Sequence, residues 1–220
     1  MSTTIIKLKS KHKPLQVINP AGDLFESFAA YKGMEGESLS NLRNETAHIL
    51  SFCNKHDDTK AKSVTHLAFG YVQSGKTMSF TALTAMARDN GYRLIVYLAG
   101  SAKNLCDQTY DRLRTDLFDR DSHHYRMVKE DKQMADSIRK GIIDDEADQA
   151  SLNNYGYQNS KTGEFKMSRT YESILKLRLA LPGHSYVQYT ATPQAQILIS
   201  IDDILSPKSH TVLSPGAAYT

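Results

Sequence analysis

The sequence contains no tryptophan, only two cysteines and six prolines, and no apolar run long enough to cross a membrane. Cys53 and Cys106 stand alone, without the paired spacing of a zinc site or a disulfide scaffold, and this favours a reducing compartment. The start of the chain also lacks the apolar block of a signal peptide. We therefore expect a soluble cytoplasmic protein without a membrane partner.

The chain carries little excess charge, because 27 basic and 24 acidic residues leave a formal net charge of +3. This excess is too small to establish a nucleic-acid partner, although the basic residues leave room for a local positive groove. A length of 220 residues is enough for one α/β domain with a short addition. We predict a basic arm and helical preface over 1–60, followed by the main domain over 61–220.

The segment Gly70–Thr77 has the strongest functional signature. Its sequence, GYVQSGKT, fits the phosphate-loop pattern G-x-x-x-x-G-K-[ST]. The glycines at 70 and 75 let the chain curl tightly, so that backbone N–H groups point inward. Those N–H groups, including the ones of Gln73 and Ser74, would converge on the phosphate oxygens of a nucleotide. The loop from Gly70 to Gly75 therefore predicts an ATP site.

The last two residues of this segment have roles of their own. Lys76 would reach the β- and γ-phosphates, and the hydroxyl of Thr77 would be a ligand for Mg²⁺. Both residues stand where a helix is predicted to begin, and the dipole of that helix favours the charge of the phosphates. We therefore expect Mg²⁺ as well as ATP.

The flanking sequence has the context that this motif requires. An apolar, β-branched strand is predicted over Val64–Phe69, and a helix with apolar residues three and four apart over Met78–Arg88. Asn90 and Gly91 are typical of a helix end. The alternative is a glycine-rich turn between a strand and a helix that binds no ligand.

The remaining pattern predicts further helices and strands of an α/β domain with a mostly parallel sheet. Tyr92–Leu98 is predicted as a central strand, and Lys103–Leu117 as the crossover helix that follows it. The other predicted helices are Asp23–Tyr31, Ser38–Lys55 and Tyr171–Leu181, and a further predicted strand is Tyr186–Tyr189. Gln16 could read an adenine edge, although a lone glutamine in a loop is more often solvated.

A second motif begins where an apolar strand at Gly141–Ile143 meets adjacent carboxylates. In a nucleotide-hydrolysing site one carboxylate holds Mg²⁺, while its neighbour positions and deprotonates the attacking water. We assign Asp145 to the metal and Glu146 to the base. Asp144 is either the last strand residue or an alternative Mg²⁺ ligand. Acidic runs are often solvated loops, but the phosphate loop about 70 residues upstream favours the functional interpretation.

A third motif, Thr190-Ala191-Thr192-Pro193, follows the predicted strand that ends at Tyr189. The parallel arrangement brings it to the same edge of the sheet as the first two motifs. The short hydroxyls of Thr190 and Thr192 can hydrogen-bond the acidic motif as well as a phosphate or a bound water. They can therefore respond to the state of the nucleotide.

Taken in order, Gly70–Thr77, the DEAD-like Asp145-Glu146-Ala147-Asp148 and Thr190–Pro193 resemble motifs one, two and three of helicase superfamily two. From about residue 64 onward the chain is more closely similar to the Z-one domain family, a bacterial and phage-defence-associated family described as endonucleases. The resemblance implies a RecA-like three-layer sandwich that hydrolyses ATP and acts on DNA rather than RNA. It implies the same roles for the site residues: Lys76 on phosphate, Thr77 and Asp145 on Mg²⁺, Glu146 as base, and Thr190 and Thr192 coupling hydrolysis to movement.

The sequence departs from this family pattern in two respects. The interval between the strand at Leu94 and the acidic motif is short and polar, and, more seriously, the sequence ends at Thr220, soon after the third motif. Such motors continue into a second RecA-like domain that carries arginine fingers, and these are worth orders of magnitude in turnover. We expect weak hydrolysis unless a second domain or subunit is supplied. The alternatives are a nucleotide-dependent switch that does not translocate, and the ATPase part of a nuclease complex. We find no separate carboxylate and lysine cluster typical of a nuclease.

Overall fold

The computed structural model describes residues 13–70, 75–99, 103–119, 140–145, 168–194 and 205–214, and residues 140–145 by their backbone alone. The helices are α1 (Asp23–Tyr31), α2 (Gly36–Ser51), α3 (Lys76–Asp89), α4 (Lys103–Leu113) with a π-helical continuation (Arg114–Phe118), and α5 (Arg169–Ala180). The strands are β1 (Val64–Phe69), β2 (Leu94–Ala99), β3 (Lys140–Asp145), β4 (Ser185–Thr190) and β5 (Ser209–Val212). Within these ranges, every helix is too short or too polar to span a bilayer.

The five strands form one sheet in the order β2-β3-β4-β1-β5, and each neighbouring pair is parallel. The prediction of an α/β protein with a parallel sheet is thereby confirmed. Because the strands are parallel, all their carboxyl ends meet at one edge of the sheet. At this edge lie Gly70, which follows β1, Asp145, which ends β3, and the turn that follows β4.

Helices cover both faces of the sheet. On one face α1, α2 and α3 pack around a core that includes Phe25, Ile49 and Phe80 together with Val187 and Tyr189 of β4. On the other face α5 packs on the sheet through a smaller cluster: Tyr171, Ile174, Leu181, Tyr186 and Leu205. Successive residues of a strand point to opposite faces, so Val187 and Tyr189 of β4 belong to one cluster and Tyr186 to the other. The helices of the predicted preface share the main core; the proposed boundary near residue 60 stays a prediction.

Several local predictions are confirmed. The helix Asp23–Tyr31 and the strand Val64–Phe69 have the bounds that the sequence pattern predicted. Helix α3 ends at Asp89, and Gly91 follows with φ of 88°, a left-handed conformation that glycine adopts most easily. The residue types of Asn90 and Gly91 therefore predicted the end of α3 correctly.

Other predictions were wrong or lie outside the described ranges. Strand β2 was predicted to be central, but it lies at an edge of the described sheet with half-buried side chains, because β3 and β4 insert between it and β1. The polar strand β5 was not predicted at all. The motif residues Gln73, Ser74 and Glu146 fall outside the described parts of the chain.

Gln16 has a structural role that the sequence did not indicate. Its side-chain nitrogen lies 3.1 Å from the carbonyl of Leu50, 3.0 Å from that of Cys53 and 2.7 Å from the hydroxyl of Tyr92. These contacts fasten the N-terminal segment to the end of α2. Because these contacts occupy the amide nitrogen, Gln16 does not offer that nitrogen to an adenine, and it is not simply a solvated loop residue.

Candidate functional site

The phosphate-loop segment leaves the sheet at its carboxyl edge and returns as a helix. Strand β1 ends at Phe69, and the N–H of Gly70 donates to the carbonyl of Thr190 at 3.3 Å. At the other end Gly75 has φ of 81° and ψ of 22°, a left-handed conformation in which a larger residue would be strained. This conformation, rather than a lack of space, explains the glycine, since the nearest atom to an added Cβ is 4.0 Å away.

The start of α3 suits an anion. Its N-cap residue, Gly75, has no side chain that could cap the first N–H groups, and its first turn contains no acidic residue. The first N–H groups of a helix have no intrahelical acceptor, and the helix dipole concentrates positive potential there. Lys76 is the first residue of this helix and adds a full positive charge. The predicted phosphate ligands that the structure describes therefore lie together.

Thr77, the predicted Mg²⁺ ligand, lies in the first turn of α3 and is half-buried. Its hydroxyl oxygen accepts a hydrogen bond from a guanidinium nitrogen of Arg112 at 3.2 Å. Its carbonyl accepts a hydrogen bond from the hydroxyl of Thr81 at 2.8 Å, which is an ordinary contact one helical turn later. The hydroxyl of Thr77 is thus accessible to a charged group at the edge of the sheet.

The acidic motif reaches the same edge. Asp145 ends β3 and pairs in register with Tyr189 of β4, and Tyr189 pairs in turn with Ala68 of β1. Two strand spacings of about 4.8 Å therefore separate the backbone of Asp145 from that of β1, or roughly 10 Å. A nucleotide with its metal ion can bridge this separation. The strand register thus places the backbone of Asp145 at the same edge of the sheet as the end of β1.

The strand register also separates the two candidate metal ligands, Asp144 and Asp145. Asp145 is level with Tyr189, whose hydroxyl lies 3.2 Å from that of Ser79 on α3. Asp144 is level with Gln188, and alternation assigns its position to the opposite face of the sheet. The position on the α3 face is that of Asp145, which favours this residue as the metal ligand.

The third motif is joined directly to the first. Thr190 is fully buried and pairs with Phe69, so that it stands beside the point where the phosphate loop begins. Its hydroxyl oxygen accepts a hydrogen bond from the N–H of Thr192 at 3.0 Å, which fixes the turn after β4. The side chain of Thr192 itself is exposed. Thr190 is thus hydrogen-bonded both to Gly70, at the start of the predicted phosphate loop, and to the turn after β4.

Sequence reasoning missed the residues of a neighbouring helix. A cavity of about 410 Å³ opens beside Thr77, and its lining includes Lys32, the residue after α1, Arg112 of α4 and Asp116 of the π-helical segment. Lys32 and Asp116 form an ion pair at 2.5 Å. The sequence contains no signal for this arrangement, because Arg112 belongs to no motif and lies 35 residues beyond Thr77.

The described residues at this edge do not form a metal site made of protein ligands alone. Among the side chains that the structure describes, no three histidine, cysteine, aspartate or glutamate residues gather as they would around a metal ion. A hydroxyl and a carboxylate suffice for Mg²⁺ only when phosphate oxygens and water complete its octahedral coordination. Thr77 and the backbone position of Asp145 fit that requirement.

Comparison with known proteins adds little to this geometry. No protein-family model matches the sequence. No curated protein matches it either. Among solved structures, a chain in the structure of an E. coli MS115-1 HORMA:CdnC:Trip13 complex is similar, with 15% identity and a TM-score of 0.33. The match covers 89% of this chain and 64% of that one, so this chain spans less than two thirds of its length.

Proposed function

We propose that this chain is a RecA-like domain of the superfamily-two type that binds and hydrolyses ATP with Mg²⁺ and acts on DNA. One observation carries the nucleotide part of this proposal. The end of β1, the start of α3 with no capping side chain, and the end of β3 at Asp145 meet at a single edge of a parallel sheet. Open α/β sheets bind their ligands at this edge.

The described residues supply the groups that a triphosphate needs. The N–H groups at the start of α3 and the ammonium of Lys76 would bind the phosphate oxygens. Thr77 and Asp145 would hold Mg²⁺, which when bound neutralises charge on the β- and γ-phosphates. Charge-assisted hydrogen bonds of this kind are roughly twice as strong as neutral ones. ATP binding therefore follows from the first turn of α3 and the end of β3.

Hydrolysis would depend on the carboxylate of Glu146, which follows Asp145 directly in the sequence. In the proposed reaction a water oxygen forms a bond to the γ-phosphorus while the bond to the ADP oxygen breaks. Glu146 orients that water and takes its proton. Thr190 and Thr192 would connect the change at the γ-phosphate to the turn after β4, because Gly70 is hydrogen-bonded to Thr190.

The strand order supports the RecA-like part of the proposal. Strand β4, which carries the third motif, lies between the phosphate-loop strand β1 and the acidic strand β3. The hydroxyl of Thr190, at the end of β4, would then lie between the phosphates and the attacking water. In that position it would respond to hydrolysis. The action on DNA, the association with defence systems and the need for a second RecA-like domain or subunit depend on the resemblance to the Z-one domain family.

We expect DNA to stimulate ATP hydrolysis. We also expect Glu146→Gln to reduce turnover by at least about tenfold, because the amide cannot take up a proton. The variant should still bind ATP. The measurement is steady-state ATPase activity with and without single- and double-stranded DNA, together with ATP affinity by calorimetry. Glu37→Gln, an exposed glutamate at the start of α2, is the matched control and should leave both quantities unchanged.

The alternatives predict different results in the same experiment. Tight ATP binding without stimulation by DNA would favour a nucleotide-dependent switch. Turnover that survives Glu146→Gln would place the base elsewhere. Cleavage of DNA by the chain together with a partner would favour the ATPase part of a nuclease complex.

A further inference from the structure

Arg112 contacts the oxygen that the proposed function assigns to Mg²⁺. A guanidinium nitrogen of this residue donates to the hydroxyl of Thr77 at 3.2 Å. A hydroxyl oxygen that coordinates Mg²⁺ gives one lone pair to the ion, and the positive charge of the ion repels a cationic donor at the same oxygen. Binding of Mg²⁺ at Thr77 would therefore displace the guanidinium, and the displaced positive charge would need a new partner nearby.

The segment that carries Arg112 is anchored to the body of the protein. Leu113 and Leu117, on either side of the transition from α4 to the π-helical segment, are buried in the main core. The ion pair between Lys32 and Asp116, in which the Asp116 side chain is largely buried, adds a second attachment. π-Helical turns occur frequently at functional sites. The backbone at Arg112 is thus held beside α3 while its side chain remains exposed.

We infer that Arg112 binds the terminal phosphate of the triphosphate, as an arginine supplied by this chain itself. The inference rests on the proposed function, since it needs a nucleotide at Thr77, and it extends that function by naming what distinguishes ATP from ADP. Arginine suits this task because its planar guanidinium can donate two parallel hydrogen bonds to phosphate oxygens.

The distances allow this exchange. Mg²⁺ lies about 2.1 Å from each of its oxygen ligands, so a γ-phosphate oxygen on the ion would be at most about 4.2 Å from the hydroxyl of Thr77. The guanidinium nitrogen of Arg112 is 3.2 Å from the same hydroxyl. The guanidinium nitrogen is therefore within about 7.4 Å of such an oxygen, a range that rotation about the bonds of the long, exposed side chain can cover. The ADP product has no γ-phosphate, so Arg112 would return to Thr77 once that phosphate leaves.

The charges around the cavity are consistent with a role for Arg112 at the phosphate rather than a separate anion site. Lys32 is engaged by Asp116, so these two charges cancel locally. Asp111 also lines the cavity, and its exposed carboxylate disfavours a free anion there. Arg112 donates to the hydroxyl of Thr77, and Lys76 is its neighbour in the first turn of α3, so both positive residues belong to this part of the structure.

The test compares ATP with ADP in the presence of Mg²⁺. Arg112→Ala should weaken the affinity for ATP by about tenfold or more and change that for ADP by less than about twofold, because a charge-assisted bond is lost from the terminal phosphate alone. Arg112→Lys should recover part of the ATP affinity. The control is Arg114→Ala, two residues further along, whose exposed guanidinium pairs with Asp119 at 3.3 Å and points to no phosphate ligand.

Three results would overturn the inference, and they are distinguishable. If the wild-type chain binds neither nucleotide, the proposed function fails and Arg112 has no terminal phosphate to bind. If the wild type binds ATP and Arg112→Ala binds it equally well, Arg112 has no such role while the proposed function stands. If the variant loses ATP and ADP affinity equally while its thermal midpoint is unchanged, the contact is not with the terminal phosphate.

Discussion

Lys76→Ala is expected to lower the affinity for ATP by about 100-fold or more. The ammonium of Lys76 stands at the start of α3, where it would make charge-assisted hydrogen bonds to two phosphates, and the loss of such bonds in a partly buried site costs about 3 kcal/mol. Alanine is a good residue for the first turn of a helix, so folding should be retained. Isothermal titration with Mg·ATP measures the effect, and thermal unfolding checks the fold.

The matched control is Lys176→Ala on α5. Lys176 forms an exposed ion pair with Glu172 at 2.7 Å, and exposed pairs within a helix contribute little to stability. This variant should bind ATP like the wild type. If Lys76→Ala also binds ATP like the wild type, Gly70–Thr77 is an ordinary strand-to-helix turn and the phosphate-loop interpretation is wrong.

The second large effect concerns a buried histidine network outside the nucleotide site. His66 of β1 is almost fully buried, with its two ring nitrogens 2.6 Å from the hydroxyl of Ser209 and 2.9 Å from that of Thr211. A ring nitrogen of His48 lies 2.8 Å from the same Thr211 hydroxyl, and the ring of Phe52 stacks on His66. Burial, followed by the nearby His48 and His210, lowers the pKa of His66 to about 3.

We therefore expect the protein to lose stability in mild acid. His66 in the unfolded chain takes up a proton near its ordinary pKa of 6.5, whereas in the folded protein it does so only near 3. Between these values the unfolded state binds more protons, so the free energy of unfolding falls as the pH falls. One such group contributes about 1.4 kcal/mol per pH unit across this window. Its stabilising effect is fully present above pH 6.5.

The measurement is urea unfolding at several pH values between 7.5 and 4.5. His66→Gln should be less stable than the wild type at pH 7.5, because its amide cannot reproduce both hydrogen bonds, but its stability should depend less steeply on pH. His56→Gln, on the loop after α2, is the control and should keep the wild-type slope. A His66→Gln slope as steep as that of the wild type would contradict the prediction.

Local pattern was sufficient to predict the elements that local forces determine. The apolar spacing of α1 and the β-branched run of β1 gave the observed bounds, and the Asn90-Gly91 pair correctly marked the end of α3. In each case the preference comes from neighbouring residues: side-chain periodicity, and a glycine that adopts a left-handed conformation. Gly75 of the phosphate-loop pattern also adopts a left-handed conformation, while phosphate binding itself stays a prediction.

Elements that depend on distant partners could not be predicted in this way. Strand β5 is short and polar. The hydroxyls of its buried Ser209 and Thr211 hydrogen-bond to the ring of His66, which lies more than 140 residues earlier in the chain. Strand β2 lies at an edge of the described sheet and is separated from β1 by β3 and β4. This strand order depends on segments far apart in the chain, and no local pattern encodes it.

The candidate site shows the same division. The sequence predicted Lys76 and Thr77 from one continuous motif, and it assigned Asp145 to the metal with Asp144 as an alternative. The pairing of Asp145 with Tyr189 on a neighbouring strand favours Asp145, and that pairing is not visible in the sequence. Arg112 was missed because its contact with Thr77 arises from the packing of α4 and the π-helical segment, rather than from any spacing along the chain.

A double-mutant cycle tests most directly whether Thr77 and Asp145 hold the same metal ion. The affinity for Mg·ATP is measured by calorimetry for the wild type, Thr77→Val, Asp145→Asn and the double variant. If both side chains bind one ion, the loss of the first ligand makes the second less important. The double variant should then lose at least about 1 kcal/mol less than the sum of the single losses. Losses that add within about 0.5 kcal/mol would mean that the two residues act independently, and would contradict a shared ion between the start of α3 and the end of β3.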